Sequence, residues 1–262
     1  MSVPPQFVSP PIPWRLSLRT IWRLVGVLTV AAGAGLSYLF VASNRRTIAG
    51  RAAWLQRTCQ HVLRRLRVEV KSVGSLPAGV MLTPNHVSYL DILVLNALTP
   101  TVFVSKAEVK GWPLFGWFAQ KAGTLFLRRE VRADLVRVGA QLEPVVASGV
   151  NLAVFLEGTS SDGRGVRPFK PGMLAPAVAA GWPVAPATLH YAVPTGRDAA
   201  VAVAWWGTMP LLPHLLTLTG LPWIKATVEW GKTRSAGGDR KALAAALQSE
   251  VAAGLARAYE RG

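Results

Sequence analysis

A histidine and an aspartate five residues apart can act as one unit if a turn carries the carboxylate back to the imidazole. The chain has such a pair in Asn85-His86-Val87-Ser88-Tyr89-Leu90-Asp91. The apolar run at 80–83 reads as a buried strand that Pro84 and Asn85 break, and a helix is expected at about 88–97. Asp91 then lies in the first helical turn, where it can accept a hydrogen bond from His86 Nδ1–H. That bond would fix the tautomer, raise the basicity of Nε2 and leave Nε2 free to take a proton from a hydroxyl. A plainer reading stands beside it. Ser88-Tyr89-Leu90-Asp91 also matches a capping box ahead of an apolar run, in which case the pair serves only the helix start.

Further polar groups close other buried strands. Phe155-Leu156-Glu157-Gly158-Thr159-Ser160-Ser161-Asp162-Gly163 places a carboxylate and hydroxyls after one of them. Between the two motifs stand Lys106-Ala107-Glu108 and Gly123-Thr124-Leu125-Phe126-Leu127-Arg128-Arg129, and Pro186 lies in a later apolar strand. Strands are expected at 80–83, 102–105, 124–127, 152–155, 184–188, 201–205 and 227–230. Helices are expected at 88–97, 133–147 (kinked by Pro144), 173–180 and 240–259. This alternation predicts an α/β fold, a mixed sheet flanked by helices, over residues 68–262. Active sites of open α/β sheets sit at strand ends, which is where His86 falls.

The first 67 residues are built differently. A leader holds Pro4, Pro5, Pro10, Pro11 and Pro13, and residues 24–42 then run for 19 positions without a charge. At about 1.5 Å per residue that run matches the ~30 Å of a bilayer core. Arg15, Arg19 and Arg23 precede it and Arg45 and Arg46 follow. A spanning or deeply inserted helix, a re-entrant or in-plane hairpin with the following helix, and a cleaved signal peptide all fit this pattern. From Arg51 to Arg67 arginines alternate with Trp54, Leu55, Val62, Leu63 and Leu66 at helical spacing, a basic amphipathic helix suited to an anionic interface.

Composition agrees. Of 262 residues 51% are hydrophobic and only 16% charged, and 29 Lys and Arg against 13 Asp and Glu give a net charge of +16. The basic residues border long apolar stretches instead of a hydrophilic surface, which favours an anionic membrane surface over nucleic acid as the partner. Cys59 is the only cysteine, so no intrachain disulfide and no thiolate metal cluster can form. It reads as a packing residue, as do His61 and His190 as structural or interfacial ones. His214 lies in a Pro-broken apolar stretch at 206–224, and Trp112, Phe115, Trp117 and Phe118 read as core or membrane-facing aromatics. No Gly-x-Ser-x-Gly elbow is present, which counts against a lipid hydrolase.

Taken in order, His-x₄-Asp, Lys-x-Glu with Phe-x-x-Arg, Phe-x-Glu-Gly-Thr and an apolar strand holding Pro resemble the glycerolipid acyltransferase family, which includes the 1-acylglycerol-3-phosphate acyltransferases. The four blocks span residues 85–186. A non-catalytic membrane-binding protein has no reason to retain all four. The resemblance implies transfer of a fatty acyl group from acyl-CoA or acyl-carrier protein to the hydroxyl of a lysolipid, without metal or bound cofactor, at the cytoplasmic face of a membrane. It implies His86 as general base and Asp91 as its orienting partner. It also implies Glu157, Gly158 and Thr159 at the acceptor site, and Arg129, helped by Lys106, facing an acceptor phosphate.

The chain departs from the family's Phe-Pro-Glu-Gly-Thr-Arg-Ser, with Leu156 replacing the proline and Ser160 the arginine. Arg164, Arg167 and Lys170 follow closely and could compensate. Thr159-Ser160-Ser161-Asp162-Gly163 and Trp206-Gly207-Thr208-Met209-Pro210-Leu211-Leu212-Pro213-His214 look more like the lyso-ornithine lipid acyltransferase branch, so the acceptor headgroup stays open between the two.

Overall fold

The computed structural model describes residues 17–40, 47–128 and 132–261. The proline-rich leader, Arg15, the end of the apolar run at 41–42, Arg45, Arg46 and Arg129 lie outside the described residues.

Two long helices open the fold, α1 (Leu18–Phe40) and α2 (Ile48–Leu66). Thr47 caps α2 by accepting a hydrogen bond from Gly50 N–H, and Arg67 ends it in a left-handed conformation. The two helices run antiparallel: Gly26 packs on Arg65, while Trp54 Nε1 donates to Ala34 O.

A mixed sheet follows, from β1 (Val68–Val73), β2 (Met81–Pro84), β3 (Thr101–Lys106), β4 (Leu125–Leu127), β5 (Asn151–Ala153), β6 (Pro183–Ala192), β7 (Ile224–Trp230) and β8 (Arg234–Ser235). Its order is β1-β7-β6-β2-β5-β3-β4, with β8 on β6. β2 lies between β5 and β6, parallel to both, and β6 meets β7 antiparallel. Successive strand residues point to opposite faces. Thus Leu82, Ala153 and Ala185 join a core with α2 and with α3 (Leu90–Leu98). Met81, Leu152 and Val184 join a second core on the other face. There they meet α5 (Arg132–Ala147), α6 (Ala175–Ala180) and α9 (Arg240–Glu260), whereas α4 (Phe115–Ala122) packs on Trp54 of α2. Cys59 is fully buried, as expected of a packing residue.

Two local expectations change. The strand expected at 201–205 is instead a short helix, α7 (Ala199–Ala202), followed by a loop. Asp198 caps α7 by accepting from Ala200 N–H, and a short apolar run cannot distinguish strand from buried helix by periodicity alone. The stretch at 206–224 holds a helix, α8 (Leu211–Gly220). Pro210 is its N-cap and Pro213 falls in its first turn, where the missing N–H has no helical partner to lose.

Candidate active site

β2 delivers the histidine, and buried polar contacts fix where the chain goes next. Asn85, fully buried, donates from Nδ2 to Leu189 O (3.0 Å) and accepts at Oδ1 from Leu189 N–H (2.7 Å). This clamp locks the start of the loop onto β6. His86 follows, half-buried, with Nδ1 2.7 Å from Asp91 Oδ2.

Asp91 lies in the first turn of α3 and is 0% exposed. A bare carboxylate there would be strongly unfavourable, so its surroundings must supply donors. Oδ2 accepts from Val87 N–H (2.7 Å) and Ser88 N–H (2.9 Å) as well as from His86, and Oδ1 accepts from the Tyr191 hydroxyl (2.7 Å). Because a carboxylate oxygen faces Nδ1, that nitrogen carries the proton, and in the neutral ring Nε2 is the atom with the lone pair. The capping-box alternative is half realised. The N-cap is Tyr89 and the buried Ser88 hydroxyl has no partner among the described residues, yet the carboxylate still collects two N–H groups of the turn.

The Glu157 motif closes around the same histidine. Glu157 is 2% exposed, and its Oε1 accepts from His86 N–H (2.6 Å) while Oε2 accepts from Arg167 N–H (2.9 Å). Burial pushes its carboxyl up to about 7, against the pull of those N–H groups and of His86. Gly158, at φ 80°, turns the chain so that Ser161 N–H reaches His86 O at 2.9 Å. A side chain would strain that left-handed position. Both backbone polar groups of His86 are therefore held by the 157–161 turn, which is a physical reason for the two motifs to occur together. Phe155 stacks on the imidazole at 3.9 Å between ring centroids.

A cavity of about 290 Å³ opens beside the ring. His86, Gly158 and Thr159 line it, as does Lys106 at the end of β3, but Glu157 does not. Trp112 and Phe115, expected in the core or in lipid, also line it. Trp117 and Phe118 instead pack on Trp54 and, for Trp117, Tyr38. Ser160 donates its hydroxyl to Trp205 O, and Trp205 N–H reaches Val87 O at 2.9 Å, so the residue in the expected arginine position ties two loops together. The neighbouring cations do not take that arginine's place. Arg164 pairs with Asp198 at 2.7 Å, and neither Arg167 nor Lys170 lines the cavity. Among the described residues no ion pair links Glu108 to Lys106.

Four contributors escaped sequence reasoning: Asn85, Tyr191, Tyr89 and His214. Tyr89 lines the cavity and meets His214 Nδ1 at 3.1 Å. Burial pulls His214 down to about 4 and raises the Tyr89 phenol, so both are neutral near neutral pH. His214 thus positions a cavity residue from behind. Asn85 offered a signal, as a polar residue closing an apolar run. Tyr191 offered none, because its partner lies a hundred residues away. Among the described residues no group of three His, Cys, Asp or Glu side chains is placed to hold a metal ion.

Comparison with known proteins adds independent support. The acyltransferase family model matches residues 67–190, which contain all four motifs. The chain is 39% identical over 212 residues to the lyso-ornithine lipid O-acyltransferase of Pseudomonas aeruginosa, covering 77% of this chain and 78% of that protein. It is 32% identical over 245 residues to the enzyme of the same name from Brucella abortus, covering 86% and 92%. A 1-acyl-sn-glycerol-3-phosphate acyltransferase of Neisseria gonorrhoeae is 37% identical over 124 residues, 47% of this chain and 49% of that protein. The crystal structure of the 1-acyl-sn-glycerophosphate acyltransferase PlsC from Thermotoga maritima shares the fold, with a TM-score of 0.62 at 21% identity over 92% of this chain and 98% of that one. With relatives alignable over most of both sequences and the His-x₄-Asp pair in hydrogen-bonding contact, the chain belongs to the acyltransferase family, as an enzyme of the lysolipid acyltransferase kind.

Proposed function

We propose that the enzyme moves a fatty acyl group from an acyl thioester to the free hydroxyl of lyso-ornithine lipid at a membrane surface. The observation that carries the chemistry is the His86–Asp91 contact at 2.7 Å, with Nε2 unpaired among the described residues and the ring on the wall of an aromatic cavity. In this reading Nε2 takes the proton of the acceptor hydroxyl as its oxygen attacks the thioester carbonyl. The tetrahedral intermediate then expels the carrier thiolate, which recovers the proton from the imidazolium. Asp91 steadies the imidazolium formed in between. The donor is already activated, so neither a side-chain nucleophile nor a metal or bound cofactor is required; acyl-CoA or acyl-carrier protein enters as co-substrate.

Two observations favour the ornithine headgroup. Two relatives aligned over more than three quarters of their length are named for that acceptor. The cavity, among the described residues, offers Lys106 as its one Lys or Arg side chain, whereas a phosphomonoester is best met by guanidinium forks. Lys106 and the Neisseria relative keep 1-acylglycerol-3-phosphate as the second reading, in which Arg129 would join Lys106 at the phosphate.

Membrane placement rests on α1, which is long and apolar enough over Leu18–Leu39 to cross a bilayer and exposes Trp22, Val25, Leu28, Leu36 and Leu39. Its pairing with α2 leaves one face for lipid, which supports a hairpin in the interface over a free-standing span. Arg23 donates to the carbonyls of Thr219, Leu221 and Pro222, joining α1 to the catalytic domain, which supports α1 as a retained part of the enzyme. The cytoplasmic face is the side on which both candidate donors are available.

A panel of lysolipids with a labelled acyl thioester, read by product mass, tests the proposal. Acylated ornithine lipid is the expected product. Phosphatidic acid as main product would replace the headgroup assignment, and no product from any lysolipid would overturn acyl transfer to lysolipids.

A further inference from the structure

A strongly basic feature outside the catalytic cavity is a groove of about 880 Å³ where α1, the end of α2 and the start of β7 meet. Arg19, Arg23, Arg64, Arg65 and Arg67 line it against a single carboxylate, Glu69. Arg23 is committed to three backbone carbonyls. The other four arginines make no ion pair among the described residues. A helix C-terminus welcomes cations, which accounts for Arg64 and Arg65 in the last turn of α2. Arg19 arrives from another helix and gives one N–H to Gly220 O at the end of α8 (3.3 Å), and neither helix end accounts for the Trp22 and Trp223 rings beside the cluster. Lys225 adds a further cation, its Nζ 5.4 Å from the Trp223 ring centroid.

The topology says which way this groove faces. β7 starts level with β1, the Ile224–Val68 pair, and runs antiparallel to β6, which is parallel to β2. The start of β7 and the end of β2 are therefore on the same end of the sheet, so the groove and His86 open at one end of the molecule. The exposed residues Leu18, Ile21, Trp22 and Val25 of α1 continue from the groove's edge. Guanidinium groups framed by tryptophan, next to a lipid-suited apolar face, match a phosphate at the headgroup level of a bilayer.

We propose that this groove binds the phosphate headgroup of an anionic phospholipid that is not a substrate, and so docks the enzyme with its catalytic cavity toward the bilayer. The inference rests on the membrane placement proposed above and is independent of the acyl-transfer chemistry.

The test is sedimentation of the full-length protein with phosphatidylcholine vesicles, with and without one-third phosphatidylglycerol. Wild type should favour the anionic vesicles. Arg64→Gln/Arg65→Gln should lose more than about tenfold in partitioning, since each basic residue near such a surface contributes about fivefold. Arg240→Gln/Lys241→Gln, with the same charge removed from the exposed start of α9, should lose less than about twofold, the effect expected beyond a Debye length. Arg64→Lys/Arg65→Lys should keep most of the binding, and Arg19→Gln replaces the double variant if the latter fails to fold. Equal loss in the groove and α9 variants would overturn a defined site, as would equal binding to both vesicle types. Intact vesicle binding with lost capture of an acidic acyl-carrier protein would assign the groove to a protein instead. None of these readouts depends on turnover.

Discussion

Replacing Asp91 with asparagine should separate the charge of this residue from its architecture. The asparagine oxygen can occupy the Oδ2 position and keep the three donors Val87 N–H, Ser88 N–H and His86 Nδ1–H. Its Nδ2 then faces Tyr191, whose hydroxyl can rotate from donating to accepting. Folding should survive, with an unfolding free energy within about 2 kcal/mol of wild type. The lost quantity is the attraction between a carboxylate and the imidazolium formed during the reaction. For charge centres about 4 Å apart at an effective dielectric of about 20 it is about 4 kcal/mol. At a factor of ten per 1.36 kcal/mol that predicts a fall in kcat of roughly 10³-fold with KM little changed. The assay is initial rate with a labelled acyl thioester over a range of lysolipid, alongside thermal unfolding of both proteins. A folded Asp91→Asn enzyme within about tenfold of wild-type kcat would refute the reasoning.

Three further outcomes follow from the same geometry. Burial raises Glu157 from 4.5 to about 7, so its stabilising contribution is fully present below pH 4.5 and lost as pH rises through about 7, a difference of about 3 kcal/mol. Glu157→Gln abolishes that titration, so urea unfolding in detergent at about pH 5 and pH 8 should show the variant gaining about 3 kcal/mol on wild type at the higher pH, and a pH-independent difference would contradict burial as the cause. Tyr191→Phe leaves Asp91 Oδ1 buried without its donor and should destabilise by about 1–3 kcal/mol with a smaller loss of rate than Asp91→Asn; unchanged stability would deny that bond a role. A Cβ at Gly254 would overlap the Thr188 hydroxyl, so Gly254→Ala should force α9 off β6 and cost about 1–3 kcal/mol in an unfolding titration; unchanged stability would contradict close packing of α9 on β6 at this point.

The His86–Asp91 contact was legible because it is local: a broken strand, a five-residue spacing and a helix start leave the carboxylate little choice of position. The 157–161 turn was legible as a motif but not as a structure. Glu157 reads naturally as a pocket residue, and only parallel pairing of β2 with β5 reveals it beneath the His86 backbone. Tyr191 and Asn85 act across β2–β6 pairing, a register no local pattern encodes. Trp112 and Phe115 were expected in core or lipid because an aromatic in an apolar segment looks the same whether it faces protein, membrane or a cavity. The expected strand at 201–205 failed for a related reason: an apolar run of five residues says that it is buried, and Asp198 decides how.

His86 as proton acceptor is tested most directly by His86→Ala, assayed for acyl transfer from labelled thioester to the preferred lysolipid. Turnover should fall by at least about a hundredfold while thermal unfolding and vesicle binding stay at wild-type values. A folded, membrane-bound His86→Ala enzyme with near-normal turnover would contradict the mechanism.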